Sequence, residues 1–402
     1  MDRGLQKSLS TLRLVKRPGY ILPLIVLSQF AGTSLWFAVN AILPEIATST
    51  RVDIGDITVV IQFGFISGTL IFAIFSIADR YSSAKVFFIS SLMAALSNVA
   101  IIGASKNIEL LYALRFVTGF FLAGIYPVGM KIAADWYEKG LGKAMGYLVG
   151  ALVLGTAFPN LLRLQSFHFQ SDHVLLLTSA FATLGGVLML VWVGDGPYRK
   201  QVSKFQPSTI FKIFRSPDFR SASLGYFGHM WELYTFWSFV PVILLYYNFY
   251  HQIDASVYGW SFAIIAGGSI GCVVGGHLSQ KMGSSRVAFY SLAGSGICCL
   301  LSFFMLQMPE PIFYFFMIVW GVTVIADSPQ FSTLVAQTSA CEHTGTALTT
   351  VTSVGFALTI FSIQISSYLL EQWERKNAVF AMLALGPALG LLSLWPLTKR
   401  KN

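Results

Sequence analysis

His229 and Glu232 stand three residues apart in an otherwise apolar run, Gly228-His229-Met230-Trp231-Glu232-Leu233. That spacing puts both on one helix face, which Phe236 four residues on also shares. At about 1.5 Å per residue the pair lies about 12 to 17 Å from the start of the run, near the middle of a bilayer. A carboxylate taken out of water and an imidazole that titrates near neutrality suit reversible proton uptake; a structural hydrogen bond between the two side chains is the alternative. A second polar stripe passes through Gln29, Thr33, Trp36 and Asn40 at helical spacing, facing either a cavity or a polar helix contact. Arg115 lies inside another apolar run, with Tyr126 three turns further along the same face. Its planar fork suits a carboxylate-like anion, and a structural ion pair or a part in proton transfer are the competing roles. Thr323, Asp327 and Gln330 recur at helical spacing in a fourth run, where Pro329 predicts a break and Asp327 fits a gate as well as a binding group. The expected substrate-binding set is therefore Thr33, Trp36, Asn40, Arg115, Tyr126, Phe236 and Thr323, with His229 and Glu232 carrying protons.

The elements that hold these residues are membrane spans. Of 402 residues 55% are hydrophobic and only 11% charged, and the mean hydropathy is +0.66, which excludes an ordinary soluble globule. Taking about 20 apolar residues per crossing, the chain reads as an all-α polytopic protein with twelve transmembrane helices. They run over 20–43, 55–77, 85–104, 109–132, 143–163 and 173–194, then 221–247, 257–279, 286–307, 311–335, 345–369 and 377–397. Between the two sets lies the longest polar stretch, residues 195–220, with Arg199, Lys200, Lys204, Lys212, Arg215 and Arg220 against only Asp195 and Asp218. The expected organisation is an N-terminal half, 1–194, a basic cytoplasmic linker, 195–220, and a C-terminal half, 221–402.

The net charge of +9 belongs to loops rather than to a nucleic-acid-binding patch. Of the 27 Lys and Arg, 21 fall on the side of the termini and the linker. Arg51, Lys106, Arg163, Arg375 and Lys376 fall on the other side, and Arg115 within a span. By the positive-inside tendency both termini are cytoplasmic, in a cytoplasmic (inner) membrane. The basic N-terminal region before the first apolar run imitates a signal peptide, but that run is too long and lacks a cleavage site, so it is expected to stay as the first span. Cys272, Cys298 and Cys299 lie in apolar runs and Cys341 in a cytoplasmic loop, so all four are expected to be unpaired packing residues. His168, His173, His251, His277 and His343 lack metal-ligand spacing. There is no phosphate-binding Gly-Lys-Ser/Thr loop and no hydrolase-type Gly-x-Ser-x-Gly. The expectation is no enzyme, cofactor or metal, and a monomer whose partners are a small solute, protons and the lipid bilayer.

The two sets of spans repeat each other. Ala78-Asp79-Arg80-Tyr81-Ser82-Ser83-Ala84-Lys85-Val86 falls, 201 residues on, upon Ser279-Gln280-Lys281-Met282-Gly283-Ser284-Ser285-Arg286-Val287. These turns resemble the Gly-x-x-x-Asp-Arg-x-Gly-Arg-Arg signature of the major facilitator superfamily, with Phe75 and Ser82 in place of the glycines of the first copy and Gln280 in place of the acid of the second. Arg115, Gly119 and Gly124 are similar to that family's Arg-x-x-x-Gly pattern, which is associated with proton coupling. The resemblance implies two pseudo-symmetric six-helix halves and a central cavity lined by spans 1, 4, 7 and 10. It also implies gating by Asp79, Arg80, Lys85, Gln280, Lys281, Arg286 and Asp327. Within the family the chain resembles the prokaryotic branch near nitrate/nitrite and cyanate-type permeases, without the asparagine-glycine nitrate signature. The absence of a Gly-Pro pair in span 5, where Pro159 comes late, disfavours a drug/proton antiporter. The expected function is a proton-coupled symporter of a small anion by alternating access; efflux of amphipathic compounds, or a sensor or scaffold that has lost transport, are the alternatives.

Overall fold

The computed structural model describes residues 18–47, 52–104, 107–137, 141–164, 170–199, 207–339, 344–373 and 376–399. Among them no strand is present. The helices used below are α1 (Ile21–Thr33), α2 (Ile54–Ile74), α3 (Ser83–Ala104), α4 (Ile108–Leu122), α5 (Tyr126–Trp136), α6 (Leu141–Leu162), α7 (Ser171–Leu188) and α8 (Pro207–Ile213). They continue with α9 (Pro217–His251), α10 (Val257–Met282), α11 (Ser284–Leu301), α12 (Glu310–Ala326), α13 (Ser328–Thr338), α14 (Thr344–Gln372) and α15 (Leu385–Thr398).

Among the described residues ten helical segments are long and apolar enough to cross a membrane, counting α4 with α5 and α12 with α13 as one each. The other two expected spans differ in kind. The first is a 13-residue helix, α1, that stops at Thr33 and gives way to turns. The seventh, α9, is 35 residues long, but Tyr, Trp, Ser, His and Glu dilute its apolar character. It also begins at Pro217, four residues before the expected boundary, because Ser216 caps it by accepting from Phe219 N and Pro217 occupies the first turn. Of the connector, residues 200–206 lie outside the described part, as do Cys341, Arg51, Lys106 and Arg375. Cys272, Cys298 and Cys299 are unpaired and buried.

The repeat appears as matched breaks and matched close contacts. The fourth span parts at Ala123–Ile125, just before Pro127, and the tenth at Asp327, just before Pro329. A proline cannot donate to the carbonyl one turn back and its ring clashes there, so each helix restarts at the proline. Above each break a glycine lets two helices touch. A Cβ on Gly119 would lie 2.1 Å from the Ile61 carbonyl oxygen, and one on Gly321 would lie 2.1 Å from that of Ile264. The helix pairs α2 with α4 and α10 with α12 thus meet backbone to backbone, as membrane helices do through small residues. Across the connector, α6 packs along α10 and α2 along α14.

Candidate functional site

Arg115, on α4, is fully buried. It reaches span 1 where that span has no helical hydrogen-bond ladder. After Thr33 the chain runs through turns to a short 3-10 helix at Asn40–Ile42, which leaves the Leu35 and Trp36 carbonyls without backbone donors. In hydrocarbon such carbonyls need a partner, and the guanidinium supplies it. Nη2 donates to Trp36 O at 3.0 Å and to Asn40 Oδ1 at 3.2 Å, and Nη1 approaches Leu35 O at 3.5 Å. Nε has no partner, and among the described residues no carboxylate lies within ion-pair distance of Arg115. The site therefore holds a buried cation whose contacts are all neutral oxygens.

Around it sit further donors without acceptors. The Trp36 ring packs on Phe65, Tyr234 and Phe356 with centroids 4.9, 5.6 and 5.7 Å away, forming an aromatic wall across the two sets of spans; its Nε1 is buried and unpartnered. Gln62 on α2 is fully buried with neither amide atom partnered. It lies one turn from Thr58, which holds Asn40, and three residues from Phe65, which packs on Trp36. Gln62 thus belongs to the layer that contains Arg115. Sequence reasoning missed it, although Thr58, Gln62 and Thr69 recur at helical spacing and offered the signal.

The second polar centre lies wholly within the spans after the connector. His229 and Glu232 do not bond to each other. His229 Nδ1 is 2.8 Å from Asp327 Oδ1, an ion-pair contact in which neither atom is aligned as a hydrogen bond. Both groups are fully enclosed, since the break before Pro329 turns Asp327 inward against α9. Glu232 accepts from Trp320 Nε1 at 2.7 Å and from Ser295 Oγ at 2.8 Å. Ser295 also faces Leu292 O at 3.2 Å. Its hydroxyl can therefore donate to a Glu232 carboxylate, or turn to Leu292 and accept from a Glu232 carboxylic acid. Either protonation state of Glu232 finds its hydrogen bonds met.

Other expected site residues are distributed as follows. Phe236 packs on Trp320, 4.4 Å between centroids, on the face of α9 that looks into its own set of helices; the residues reaching span 1 are Tyr234 and Trp237. The Thr323 hydroxyl is spent on Val319 O, 2.8 Å away, and Thr33 on Gln29 O, also 2.8 Å, beside Gly155. Tyr126 is buried at the start of α5. On the connector side Asp79 pairs with Lys131 at 3.3 Å, Lys131 with Asp135 at 3.0 Å, and Asp195 with Arg199 at 3.0 Å. Arg199 also donates to the Asp79 and Tyr81 carbonyls, and Asp195 accepts from Ser82 Oγ and Ala84 N. Arg80 and Lys85 point outward. In the second copy Gln280, Lys281 and Arg286 are all exposed and form no ion pair among the described residues, since Gln280 removes the acid that anchors the first network.

On the distal side, opposite the connector, lies a cavity of about 1580 Å3 lined by Asn40, Asp53, Asn160, Arg163, Asn248 and Tyr258 among others. On the same side, contacts join the two sets of spans: Ser367 donates to Asp53, Gln364 Nε2 donates to Asp56 Oδ1 at 3.2 Å, and Arg163 stacks 5.2 Å above Tyr258.

The model of the Major Facilitator Superfamily matches residues 24–363. The chain belongs to that superfamily. It is a multi-pass membrane transporter of a small solute, and not an enzyme. Among curated relatives of this facilitator is the nitrite extrusion protein of Bacillus subtilis (strain 168). That protein is 25% identical over 301 residues, which span 72% of this chain and 73% of the relative. The family match bears out the superfamily expected from the two turns and from Arg115, Gly119 and Gly124, and the Bacillus relative is consistent with the expected nitrate/nitrite-type branch.

Proposed function

We propose that this facilitator moves a small monovalent oxyanion, with nitrite as the first candidate, across the cytoplasmic membrane by proton-coupled alternating access. The observation that carries this reading is Arg115: fully buried and, among the described residues, touched only by neutral oxygens, with Nε unpartnered and no carboxylate in reach. An uncompensated buried cation is expensive unless a counter-charge visits it, and a transported anion is that visitor. The name of the Bacillus relative supports the choice of anion.

Protons are carried on the other centre. Glu232 has partners for both protonation states, and His229 against Asp327 forms a second proton-accepting pair enclosed in the same helices. Separate anion and proton centres, one in each set of spans, suit a rocking motion of residues 1–194 against 221–402, with 195–220 as the cytoplasmic link and both termini cytoplasmic. The protein acts as a monomer on this reading. Asp79, Lys131, Asp195 and Arg199 tie together the connector-side helix ends of the N-terminal half, so that it rocks as one body. The Trp36, Phe65, Tyr234 and Phe356 rings support a second reading, efflux of flat amphipathic cations or neutral compounds.

Purified protein in proteoliposomes decides between them. Nitrite flux that an imposed pH gradient accelerates, and that an amphipathic dye does not inhibit, is the expected result. Dye flux without nitrite flux would install the second reading, and no flux of either would leave a protein that does not transport these solutes.

A further inference from the structure

The hydrogen bonds of Asn40 fix which way its amide points. The Thr58 hydroxyl donates to the Ile54 carbonyl at 2.8 Å, so toward Asn40 the Thr58 oxygen can only accept. Asn40 Nδ2 takes that place, 2.8 Å from Thr58 Oγ1. The carbonyl oxygen of the amide is therefore the atom turned to Arg115, 3.2 Å from Nη2. A neutral oxygen occupies the spot at the guanidinium where an anion's oxygen would bind more strongly.

Two further features single out Asn40 from the other contacts of Arg115. Leu35 and Trp36 use backbone carbonyls, whereas Asn40 uses a side chain that can rotate away. Of the three, only Asn40 lines the distal cavity, and it keeps 9% of its surface exposed while Arg115 keeps none. Asn40 also opens a three-residue 3-10 turn, so its movement breaks no long helical ladder.

We propose that Asn40 Oδ1 is a placeholder for the transported anion: the anion enters from the distal cavity, displaces that oxygen from Arg115, and Asn40 thereby sets the anion affinity. This inference rests on reading Arg115 as the anion's partner. Its consequences run in opposite directions for two small substitutions. Asn40→Asp puts a permanent carboxylate on the same atom position, and the resulting charge-assisted bond to Arg115 neutralises the site before an anion arrives. Asn40→Ala removes the competitor and leaves Nη2 open.

The test titrates nitrite, with nitrate as a second monovalent oxyanion, against full-length parent, Asn40→Ala and Asn40→Asp in lipid nanodiscs, reading the ligand-induced rise in melting temperature. The expected result is a Kd at least about tenfold higher for Asn40→Asp, about one charged hydrogen bond's worth, with a ligand-free melting temperature no lower than the parent's. For Asn40→Ala the expected Kd is several-fold lower than the parent's. Unchanged binding by Asn40→Asp overturns the placeholder, and so does weaker or unchanged binding by Asn40→Ala, which would make Asn40 a direct ligand or a bystander. Should Asn40→Asp fail to fold, the direction of the Asn40→Ala shift alone decides. A parent that answers neither anion overturns the reading of Arg115 itself, an outcome separate from a parent that binds and variants that do not differ.

Discussion

Glu232→Gln is the substitution that separates proton chemistry from packing. In the parent, Trp320 Nε1 and Ser295 Oγ both donate to the carboxylate, at 2.7 and 2.8 Å. The amide can keep both contacts: its oxygen accepts from Trp320, and its NH2 donates to Ser295, whose hydroxyl turns to Leu292 O. Two charge-assisted bonds at about 1.5–3 kcal/mol each become two neutral ones at about 0.5–1.5 kcal/mol each, while the burial penalty of the charge disappears. The net change in stability is expected within about 2 kcal/mol, small enough to leave the fold and surface expression intact. Transport is expected to split. In proteoliposomes Glu232→Gln should exchange anion across equal pH at the parent's rate, yet fail to accumulate it when a pH gradient is imposed, because the amide cannot take up and release a proton. Trp320→Phe serves as the contrast: it strands one carboxylate oxygen at a cost of about 1–3 kcal/mol and should lower the melting temperature while keeping coupling. Gradient-driven accumulation by Glu232→Gln equal to the parent's would refute the assignment and leave Glu232 a structural acceptor.

Three more substitutions follow from the packing. Gly119→Ala would place a methyl 2.1 Å from the Ile61 carbonyl oxygen, so α2 and α4 must part; a loss of about 3 kcal/mol, seen as a lower melting temperature and reduced monodisperse yield, is expected. Ser76 sits in the left-handed region at φ 50° where the helix before the Asp79 turn ends, so Ser76→Gly should stabilise by about 0.5–1 kcal/mol after glycine's extra chain entropy is counted. Gln62→Leu removes two unpartnered buried amide atoms and should raise ligand-free stability by about 1–3 kcal/mol while weakening nitrite binding; stabilisation with unchanged binding would exclude Gln62 from the anion site.

Much of this architecture was legible in the chain because hydropathy and a near-201-residue repeat are global signals that survive local exceptions. The exceptions have physical causes. Ser34-Leu35-Trp36-Phe37-Ala38-Val39 holds no proline or glycine and reads as a continuing helix; only the arrival of Arg115 from α4 makes free carbonyls there tolerable. His229 and Glu232 were identifiable as a pair by spacing. Spacing along one helix, however, says nothing about which neighbour each will face, so Asp327, Ser295 and Trp320 emerged only with the packing. Phe236 illustrates the reverse: it shares a face with Glu232, and that face turns toward α12 rather than toward span 1. Pro329 marked the break at Asp327 in advance, since proline acts locally on its own helix.

The central claim is that Arg115 is the counter-charge of a transported anion, and its most direct test is the nitrite-induced rise in melting temperature of parent and Arg115→Lys, at one nitrite concentration below saturation. Lysine keeps the charge but is a point donor without the planar fork, so it cannot hold Trp36 O and also offer an oxyanion a bidentate face. The expected result is a clear rise for the parent and a rise at most half as large for Arg115→Lys, with ligand-free melting temperatures that differ less than the ligand responses do. Equal rises in both proteins would contradict the claim and return Arg115 to the role of a brace for the broken first span.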